Sequence, residues 1–333
     1  MNIIEEEYKR LLGEYKRVND RFEKTVIYRV GESQGFYSEI NCMLTCMLWC
    51  YNRKIKFTIY SDGANFGGGN GWKEFFEPFC EENHDKRNEH VNRRHQINWK
   101  HPLWRFDAWI FRKINKVNYL TQDVFFPCLY RDQISGKGEK EGVVWPELGI
   151  YNYDDFGKLA KFALRYNKKT EDEIKRKILD LNLPEEYVSI QIRGGDKIIE
   201  CDNLLSPKIV VEKINELDIN NNLFVFTDDY RYIEELKKLK PNLNIFTLTK
   251  KEEKGYENDS FQKMKWEEKR EELIKLFAMV EICIQSTMHL GSEQSNANDY
   301  IKSQKNKSQY IMIWNDKKTS RKFRKIRKSN CNK

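Results

Sequence analysis

Three short polar clusters in the second half of the chain combine residue types that bind phosphate. Residues 193–197 read RGGDK, residues 227–229 read TDD and residues 285–287 read QST, and each follows an apolar stretch. Arginine offers a rigid fork of donors for phosphate oxygens, glycine lets the backbone approach a ligand, and hydroxyl groups at a helix start add contacts. This chemistry suits the diphosphate of a nucleotide sugar. Each cluster taken singly is at least as typical of ordinary turns and helix caps.

The segments around these clusters alternate between strand and helix patterns. The predicted strands are residues 187–192, 222–227, 243–248, 281–286 and 310–314. The predicted helices are residues 206–217, with Ser206 as N-cap and Pro207 at the first helical position, 230–240 and 269–280. Strands that alternate with helices predict a doubly wound α/β domain. Because ligands bind at the carboxyl ends of strands in such sheets, we expect all three clusters at one edge.

The first half of the chain also contains a strand–helix–strand pattern. A helix is predicted over residues 3–22, and the pattern that follows is strand 25–30, helix 36–52 and strand 56–60. This βαβ unit implies a parallel sheet. Further on, the sequence predicts a helix over 71–82 that ends at Pro78, a strand within 117–126, and one or two helices over 154–180. We therefore predict an N-terminal α/β domain (1–182), a C-terminal Rossmann-like domain (183–316) and a tail (317–333).

The net charge of +8 is concentrated in the tail. Residues 317–333 contain nine Lys and Arg and no acidic residue, so +8 minus +9 leaves the first 316 residues at −1. A nearly neutral body argues against specific nucleic-acid binding. A block of like charge predicts a solvated, disordered segment that could contact an anionic membrane or nucleic acid.

Cysteines and histidines do not form a metal-binding pattern in this sequence. Cys42, Cys46 and Cys50 recur every fourth residue, which predicts small buried side chains on one helix face. The histidines at 84, 90, 95 and 101 lack the spacing of zinc ligands, and surface or acceptor-groove roles are favoured. We therefore expect no metal and no cofactor.

No stretch approaches the roughly 20 apolar residues of a membrane span. The N-terminus, MNIIEEEYKRLLGEYKR, has early acids and no apolar core, unlike a signal peptide. These features predict a soluble protein in a reducing compartment, the cytoplasm.

The cluster after the first strand of the second half belongs to a longer motif. IQIRGGDK (190–197) resembles the H-x-R-x-x-D-K signature of the core α1,6-fucosyltransferase and bacterial nodulation fucosyltransferase group, relatives of the protein O-fucosyltransferases. Four further segments resemble that family in the same order: 36–59, 70–78 (NGWKEFFEP), 224–242 (FVFTDDYRYIEELKKLKPN) and 284–287 (IQST). The resemblance extends over roughly residues 31–290.

The resemblance implies a two-domain GT-B-type glycosyltransferase that inverts the anomeric centre. It implies GDP-fucose as donor, a glycan or glycoprotein as acceptor, and no metal. Arg193 matches the arginine that holds the β-phosphate of the donor. The chemistry agrees, because the departing GDP gains negative charge that a fixed guanidinium stabilises.

Further site residues are implied by the same motifs. Asp196 and Lys197 match the aspartate and lysine of the family, and Asp228 and Asp229 match its paired aspartates. Ser286 and Thr287 align with its pyrophosphate-contacting loop. The adjacent Asp228 and Asp229 lack the spacing of a D-x-D metal motif, and an acidic helix start is the alternative interpretation.

Several positions depart from the pattern of the family. Gln191 replaces a histidine that contacts the nucleotide, and Gly194 replaces a second arginine. The glutamate base of the family aligns with Cys201, so Glu200 can act as base only if this loop is one residue shorter. Its purine-contacting aspartate aligns near Leu273, which leaves guanine specificity open.

These departures leave alternatives open. The first interpretation is a fucosyltransferase in which Glu200 or Asp196 takes the proton of the acceptor hydroxyl. The second is the same scaffold with another nucleotide sugar. The third is a nucleotide- or glycan-binding homologue without turnover, and nucleic-acid binding through the tail is a fourth.

Overall fold

The structure is a computed structural model that describes residues 2–94, 102–126, 128, 145–150, 155–195, 205–217, 219, 222–292 and 295–313. The chain forms two compact units, Met1–Thr170 and Glu171–Lys333. The division falls near the start of the helix Lys168–Asp180, whereas the predicted division, after residue 182, follows the end of that helix. The two placements therefore differ in the unit to which this connecting helix is assigned.

The first unit is built on a parallel sheet in the order β2-β1-β3. Its strands are β1 (Lys24–Arg29), β2 (Ile55–Tyr60) and β3 (Tyr119–Leu120). A parallel bridge between Ile59 and Glu82 adds a short extended segment beside β2. The predicted βαβ unit is confirmed, since β1 and β2 pair in parallel and a helix connects them.

Among the described residues, seven helices lie before or at the boundary between the two units. They are α1 (Asn2–Asn19), α2 (Phe36–Asn52), α3 (Asn88–Val91), α4 (Pro102–Asn115), α5 (Thr121–Phe126), α6 (Phe156–Ala163) and α7 (Lys168–Asp180). The helix α2 has the predicted bounds because its apolar side chains pack on β2. Of the three cysteines predicted to be buried, Cys46 and Cys50 are buried and Cys42 is half-buried. Burial also raises the pKa of the Cys42 thiol to about 11, which keeps this thiol protonated at neutral pH.

The second unit contains a five-stranded parallel sheet in the order β6-β5-β4-β7-β8. Its strands are β4 (Val188–Ile192), β5 (Asn222–Thr227), β6 (Asn244–Phe246), β7 (Met288–Ser292) and β8 (Tyr310–Ile313). The chain winds outward from β4 to β6 and then returns to the other side of β4 for β7 and β8. The direction of winding therefore changes between β4 and β7, and ligands bind outside the carboxyl ends of strands at such a point.

The helices of the second unit cover this sheet. They are α8 (Pro207–Glu216), α9 (Tyr230–Leu239), α10 (Asn258–Lys263), α11 (Trp266–Gln285) and α12 (Asn296–Gln304). The side chain of Ser206 accepts the backbone N–H of Ile209 at the start of α8, so the predicted N-cap is confirmed. Val188, Ile190 and Ile192 of β4 belong to the apolar core of this unit.

Two predicted elements were wrong. Residues 281–286 are not a strand: α11 continues to Gln285, because its apolar residues keep a helical spacing through Ile282 and Cys283, both buried. Residues 71–82 form only a short 3-10 turn, Gly71–Glu74, before an extended segment. The strand predicted within 117–126 is confirmed as the short β3, Tyr119–Leu120, and α5 follows it directly. Within the part of the chain that the structure describes, no helix is long and apolar enough to cross a membrane.

Candidate functional site

The RGGDK cluster begins at the point where the second sheet changes its direction of winding. Ile192 ends β4, and Arg193, Gly194 and Gly195 follow it directly. The strand is buried along its whole length, whereas Arg193 keeps 23% of its side chain exposed. The loop therefore places a partly exposed guanidinium where this class of sheet binds ligands.

Asp228 fixes the backbone of this loop. It follows β5, and one of its carboxylate oxygens accepts the N–H of Gly194 at 2.6 Å. The other oxygen accepts the N–H of Tyr256 at 3.1 Å. Asp228 thus connects the loop after β4 to the loop that precedes α10.

The same two loops surround Arg193. Its Nε lies 3.6 Å from the carboxylate of Asp228, and its guanidinium carbon lies 5.7 Å from the ring centre of Tyr256. An anion at one side and an aromatic face at another restrict the orientation of the guanidinium. A restricted, partly exposed arginine is suited to a doubly charged phosphate.

Two glycines allow these loops to approach closely. Gly195 has a φ of +53°, and a Cβ added there would overlap the backbone of Tyr256. Gly255 has a φ of +120°, and a Cβ there would lie 2.5 Å from the Cα of Gly195. Only glycine fits both the backbone conformation and the space at these positions.

Gly194, where the family pattern has a second arginine, lies close to the side chains of two neighbours. A Cβ at Gly194 would lie 3.0 Å from the Cβ of Asp229 and 3.3 Å from the ring of Tyr232. A larger side chain would force these neighbours apart. A second arginine at this position, as in the family pattern, would require the side chains of Asp229 and Tyr232 to shift by a few tenths of an ångström.

Asp229 is engaged in the structure of its own helix. It is the N-cap of α9, and its carboxylate accepts the backbone N–H of Arg231 at 3.0 Å and pairs with the guanidinium of the same residue. Its side chain is 3% exposed. The alternative interpretation, an acidic helix start, thus describes Asp229, and its contact with a donor stays a prediction.

Ser286 and Thr287 lie at the amino ends of the parallel strands, whereas Arg193 lies at the carboxyl ends. They precede β7, and Thr287 donates its backbone N–H (3.0 Å) and its hydroxyl (2.8 Å) to the carbonyl of Tyr187, which precedes β4. The expectation that they lie with Arg193 at the carboxyl ends of the strands was wrong. Residues 281–285 belong to the helix α11 and not to the predicted strand.

The sequence interpretation missed the residues that follow β7. Ser292 ends this strand, and Ser295 caps α12 by accepting the N–H of Asn298 at 3.4 Å. Both serines therefore lie at or just beyond the carboxyl end of β7, the strand that neighbours β4. The available signal was the short stretch MHL next to Gly291 and Ser292, which fits a short strand followed by a helix cap.

A buried polar network connects β4, β7 and α12. His289 of β7 has its Nδ1 2.7 Å from the hydroxyl of Ser189 and its Nε2 2.9 Å from Oδ1 of Asn298. Asn298 in turn donates to the carbonyl of Ser292 at 3.1 Å. Burial lowers the pKa of His289 to about 4, although the hydrogen bond with Asn298 opposes this shift. The imidazole is therefore neutral at pH 7 and holds α12 against the end of β7.

Gln191 is fully buried in β4, and neither its Oε1 nor its Nε2 has a hydrogen-bond partner among the described residues. An unsatisfied buried amide costs about 1–3 kcal/mol. Its position one residue before the end of β4 is consistent with the predicted donor contact.

Asp196, Lys197 and Glu200 lie outside the described residues, so their roles stay predictions. Among the residues with a described structure, no group of three or more His, Cys, Asp or Glu could hold a metal ion.

Comparisons with known proteins give matches in structure and none in sequence. No protein-family profile and no curated protein matches the sequence. The structure of fucosyltransferase NodZ from Bradyrhizobium matches with a TM-score of 0.52 at 14% identity, over 84% of this chain and 91% of that chain. NodZ alpha-1,6-fucosyltransferase co-crystallized with GDP (TM-score 0.51, 13% identity) covers 84% and 91%, and the same enzyme soaked with GDP-fucose (0.52, 12%) covers 84% and 92%.

At these identities the likeness shows the fold. The predicted α/β fold of GT-B type is confirmed. The three structures named above are of a bacterial fucosyltransferase, and the sequence motifs resemble the same group.

Proposed function

We propose that this protein transfers fucose from GDP-fucose to a hydroxyl group of a glycan. The observation that carries the proposal is the position of Arg193 at the carboxyl end of β4, where Asp228 and Tyr256 restrict its guanidinium. The fold supports the proposal, because NodZ structures of the same fold were obtained with GDP and with GDP-fucose.

In the proposed reaction, the acceptor hydroxyl attacks the anomeric carbon of fucose from the face opposite to the phosphate. A new C–O bond forms, and the bond between the anomeric carbon and the β-phosphate oxygen breaks with its electron pair on GDP. The configuration at the anomeric carbon is thereby inverted. Arg193 stabilises the charge that develops on the leaving diphosphate.

The hydroxyl proton passes to a carboxylate, Glu200 or Asp196, in the segment after Gly195. A sugar hydroxyl is a poor nucleophile until this proton is removed. Lys197 adds positive charge on the donor side, and Gln191 and Gly194 complete the donor contacts predicted from the motif. No metal is required in this scheme, because Arg193 and Lys197 supply the positive charge.

The backbone around the switch point supplies further donor contacts. Ser292 and Ser295 both precede α12, and the N-terminus of a nine-residue helix favours an anion. We assign the phosphate-contacting role predicted for Ser286 and Thr287 to this loop instead.

A second candidate is the same chemistry with a different nucleotide sugar. The close packing around Gly194 favours it, since the donor site has one arginine fewer than the family pattern. Nucleotide binding without turnover is the third interpretation, and donor hydrolysis or transfer separates it from the first two.

Calorimetric titration with GDP, UDP and ADP tests the proposal. The wild type is expected to bind GDP at micromolar concentration, and Arg193→Ala to abolish binding. Arg176→Ala, which changes an exposed arginine on α7, is the matched control and should bind as the wild type does. Preference for UDP would retain the scaffold and exclude fucose, and the absence of binding to any nucleotide would overturn the proposal.

A further inference from the structure

An aspartate and a histidine meet at the carboxyl end of the first sheet. Asp62 follows β2, and His84 follows the extended segment that pairs with β2 through the bridge between Ile59 and Glu82. Nδ1 of His84 lies 2.9 Å and 3.1 Å from the two carboxylate oxygens of Asp62. The reaction proposed above uses neither residue, although open α/β sheets bind ligands at this end of their strands.

The carboxylate determines which nitrogen of the imidazole carries the proton. An ionised carboxylate only accepts hydrogen bonds, so Nδ1 of His84 is protonated and donates to Asp62. When the ring is neutral, Nε2 is therefore a hydrogen-bond acceptor. The side chain of His84 is 58% exposed, and Nε2 has no hydrogen-bond partner within the described part of the chain. The pair thus presents an oriented acceptor to solvent.

A contribution to stability does not explain this pair. Both side chains are accessible to solvent, 58% for His84 and 29% for Asp62, and exposed pairs of this kind contribute little to folding. The carboxylate of Asp62 accepts no other hydrogen bond from a residue that the structure describes. Orienting the ring of His84 is therefore the role that the contacts of Asp62 support.

Glu89 adds a second acceptor next to the pair. The hydroxyl of Tyr60, the last residue of β2, donates to Oε1 of Glu89 at 2.8 Å. Gly63, the residue after Asp62, makes room for this carboxylate, since a Cβ there would lie 2.9 Å from Oε1. Oε2 of Glu89 has no hydrogen-bond partner among the described residues. The end of β2 therefore combines a ring nitrogen and a carboxylate oxygen, each held by a neighbour.

These acceptors suit a ligand that brings hydroxyl groups. Each hydroxyl of a sugar supplies one O–H donor, and one ring carries several. The charge at this end of the sheet is balanced, because Arg29 lies 3.3 Å from Glu32 and Lys73 lies 3.4 Å from Glu82. The described residues contain no group that could hold a metal ion. A neutral ligand with several hydroxyls fits this surface better than a cation.

We propose that His84, positioned by Asp62, binds a hydroxyl group of a glycan through Nε2. This inference rests on the proposed function, since a transferase needs an acceptor and the second sheet binds the donor in that proposal. The carboxyl end of the first sheet is then the ligand-binding end that the donor leaves unused. Oε2 of Glu89 accepts a neighbouring hydroxyl of the same glycan.

A printed array of defined glycans, probed with the labelled full chain, tests the proposal. We expect the wild type to bind at least one class of glycan, and calorimetry with the strongest of these to give its affinity. His84→Ala should lower that affinity by about two- to tenfold, the loss expected for one hydrogen bond. The matched control is His90→Ala on α3, an exposed histidine 3.7 Å from the carboxylate of Asp107, which should bind as the wild type does.

Asp62→Asn tests the positioning role. Asparagine can turn its NH₂ group towards Nδ1, which moves the ring proton to Nε2 and removes the acceptor. Nitrogen-15 NMR of the imidazole, with His84→Ala to identify its signals, should show the proton on Nδ1 in the wild type and on Nε2 in Asp62→Asn. The glycan affinity should fall as in His84→Ala while the melting temperature stays unchanged. A lower melting temperature with unchanged glycan affinity would show a structural role and overturn the proposal.

Titration of the same proteins with GDP separates this inference from the proposed function. Binding of GDP by a wild type that binds no glycan would overturn the inference and leave the donor site standing. Glycan binding that depends on His84, in a protein that binds no nucleotide, would support the glycan site and overturn the transferase. Equal glycan affinity in His84→Ala and the wild type, or a wild-type ring with its proton on Nε2, would also overturn the inference.

Discussion

The carboxylate of Asp228 accepts the backbone N–H of Gly194 at 2.6 Å, one residue beyond Arg193. Because its other oxygen accepts the N–H of Tyr256, the side chain holds two loops at a fixed distance. The guanidinium of Arg193 lies between those loops. We infer that Asp228 contributes to donor binding by positioning Arg193.

Asp228→Asn is predicted to weaken GDP binding. An asparagine keeps one acceptor oxygen, presents an NH₂ group to the other N–H, and removes the negative charge beside Arg193. We expect the affinity for GDP to fall by about 10- to 100-fold and the free energy of unfolding to fall by about 1–3 kcal/mol. Titration calorimetry and denaturant unfolding measure the two effects.

The matched control is Asp259→Asn, at an exposed position of α10. It changes the net charge by the same amount and should alter neither quantity. GDP affinity that is equal in Asp228→Asn and the wild type would exclude the positioning role.

Gly195→Ala is predicted to disrupt the donor loop. Alanine has a Cβ that would overlap the backbone of Tyr256, and the φ of +53° is unfavourable for it. The expected cost is about 1–3 kcal/mol of unfolding free energy, with a loss of GDP affinity as the two loops separate.

A glycine of the helix α1 provides a control of opposite sign. A Cβ at Gly13 would meet no atom within 4 Å. Gly13→Ala should therefore stabilise the protein by up to about 1 kcal/mol and leave GDP affinity unchanged. If Gly195→Ala behaves in the same way, the close contact between the loops does not exist in solution.

The sequence predicted β4 and β5 and the position of Arg193 because strands, turns and glycines leave local signals. It misassigned residues 281–286 because a short apolar run can be a strand or part of a buried helix. Whether such a run becomes a strand or a helix depends on which segment pairs with β4, and here that segment is β7. The pairing of segments that are distant in sequence leaves no signal in the local sequence pattern. Because of this error, Ser286 and Thr287 were predicted at the carboxyl end of a strand, whereas they precede the amino end of β7.

Other features of the site depend on contacts that a sequence pattern does not contain. The pair Asp228 and Asp229 reads as one acidic motif, but the first carboxylate binds two loops and the second caps α9. The proximity of Gly195 and Tyr256 joins segments about 60 residues apart and becomes visible only in the folded chain. His289 likewise gave no signal in the sequence, since its partners Ser189 and Asn298 lie on separate elements.

The buried His289 predicts a component of stability that depends on pH. Its folded pKa is about 4, below its ordinary value of 6.5, so the unfolded chain binds a proton between these values and the folded chain does not. The contribution is complete above pH 6.5 and is lost as the pH falls to 4. The difference of 2.5 pKa values corresponds to about 3 kcal/mol.

Denaturant unfolding between pH 4 and pH 7 measures this component. His289→Gln is expected to be less stable than the wild type at pH 7, because the bonds with Ser189 and Asn298 are altered. Its stability should decline less steeply towards pH 4, which separates the histidine from the carboxylates that titrate in both proteins. Parallel curves for the two proteins would contradict the prediction.

Serine substitutions near the two ends of β7 are predicted to affect GDP affinity differently. Ser286 lies at the amino end, where its hydroxyl is 2.7 Å from that of Ser189 and 2.8 Å from the carbonyl of Cys283. Ser286→Ala should lower the free energy of unfolding by about 1–2 kcal/mol without changing the affinity for GDP. Ser295 lies beyond the carboxyl end, at the start of α12. Ser295→Ala should lower the affinity and remove about 1 kcal/mol of helix capping.

Titration of GDP into both variants, with unfolding curves at the same pH, separates binding from stability. A loss of affinity confined to Ser295→Ala would support donor binding at the carboxyl edge, beside Arg193. A loss confined to Ser286→Ala, with an unchanged melting temperature, would return the phosphate contact to the residues that the motif indicated. It would also require the diphosphate to bind at the amino edge of the sheet, where α11 ends and no carboxyl end of a strand is available.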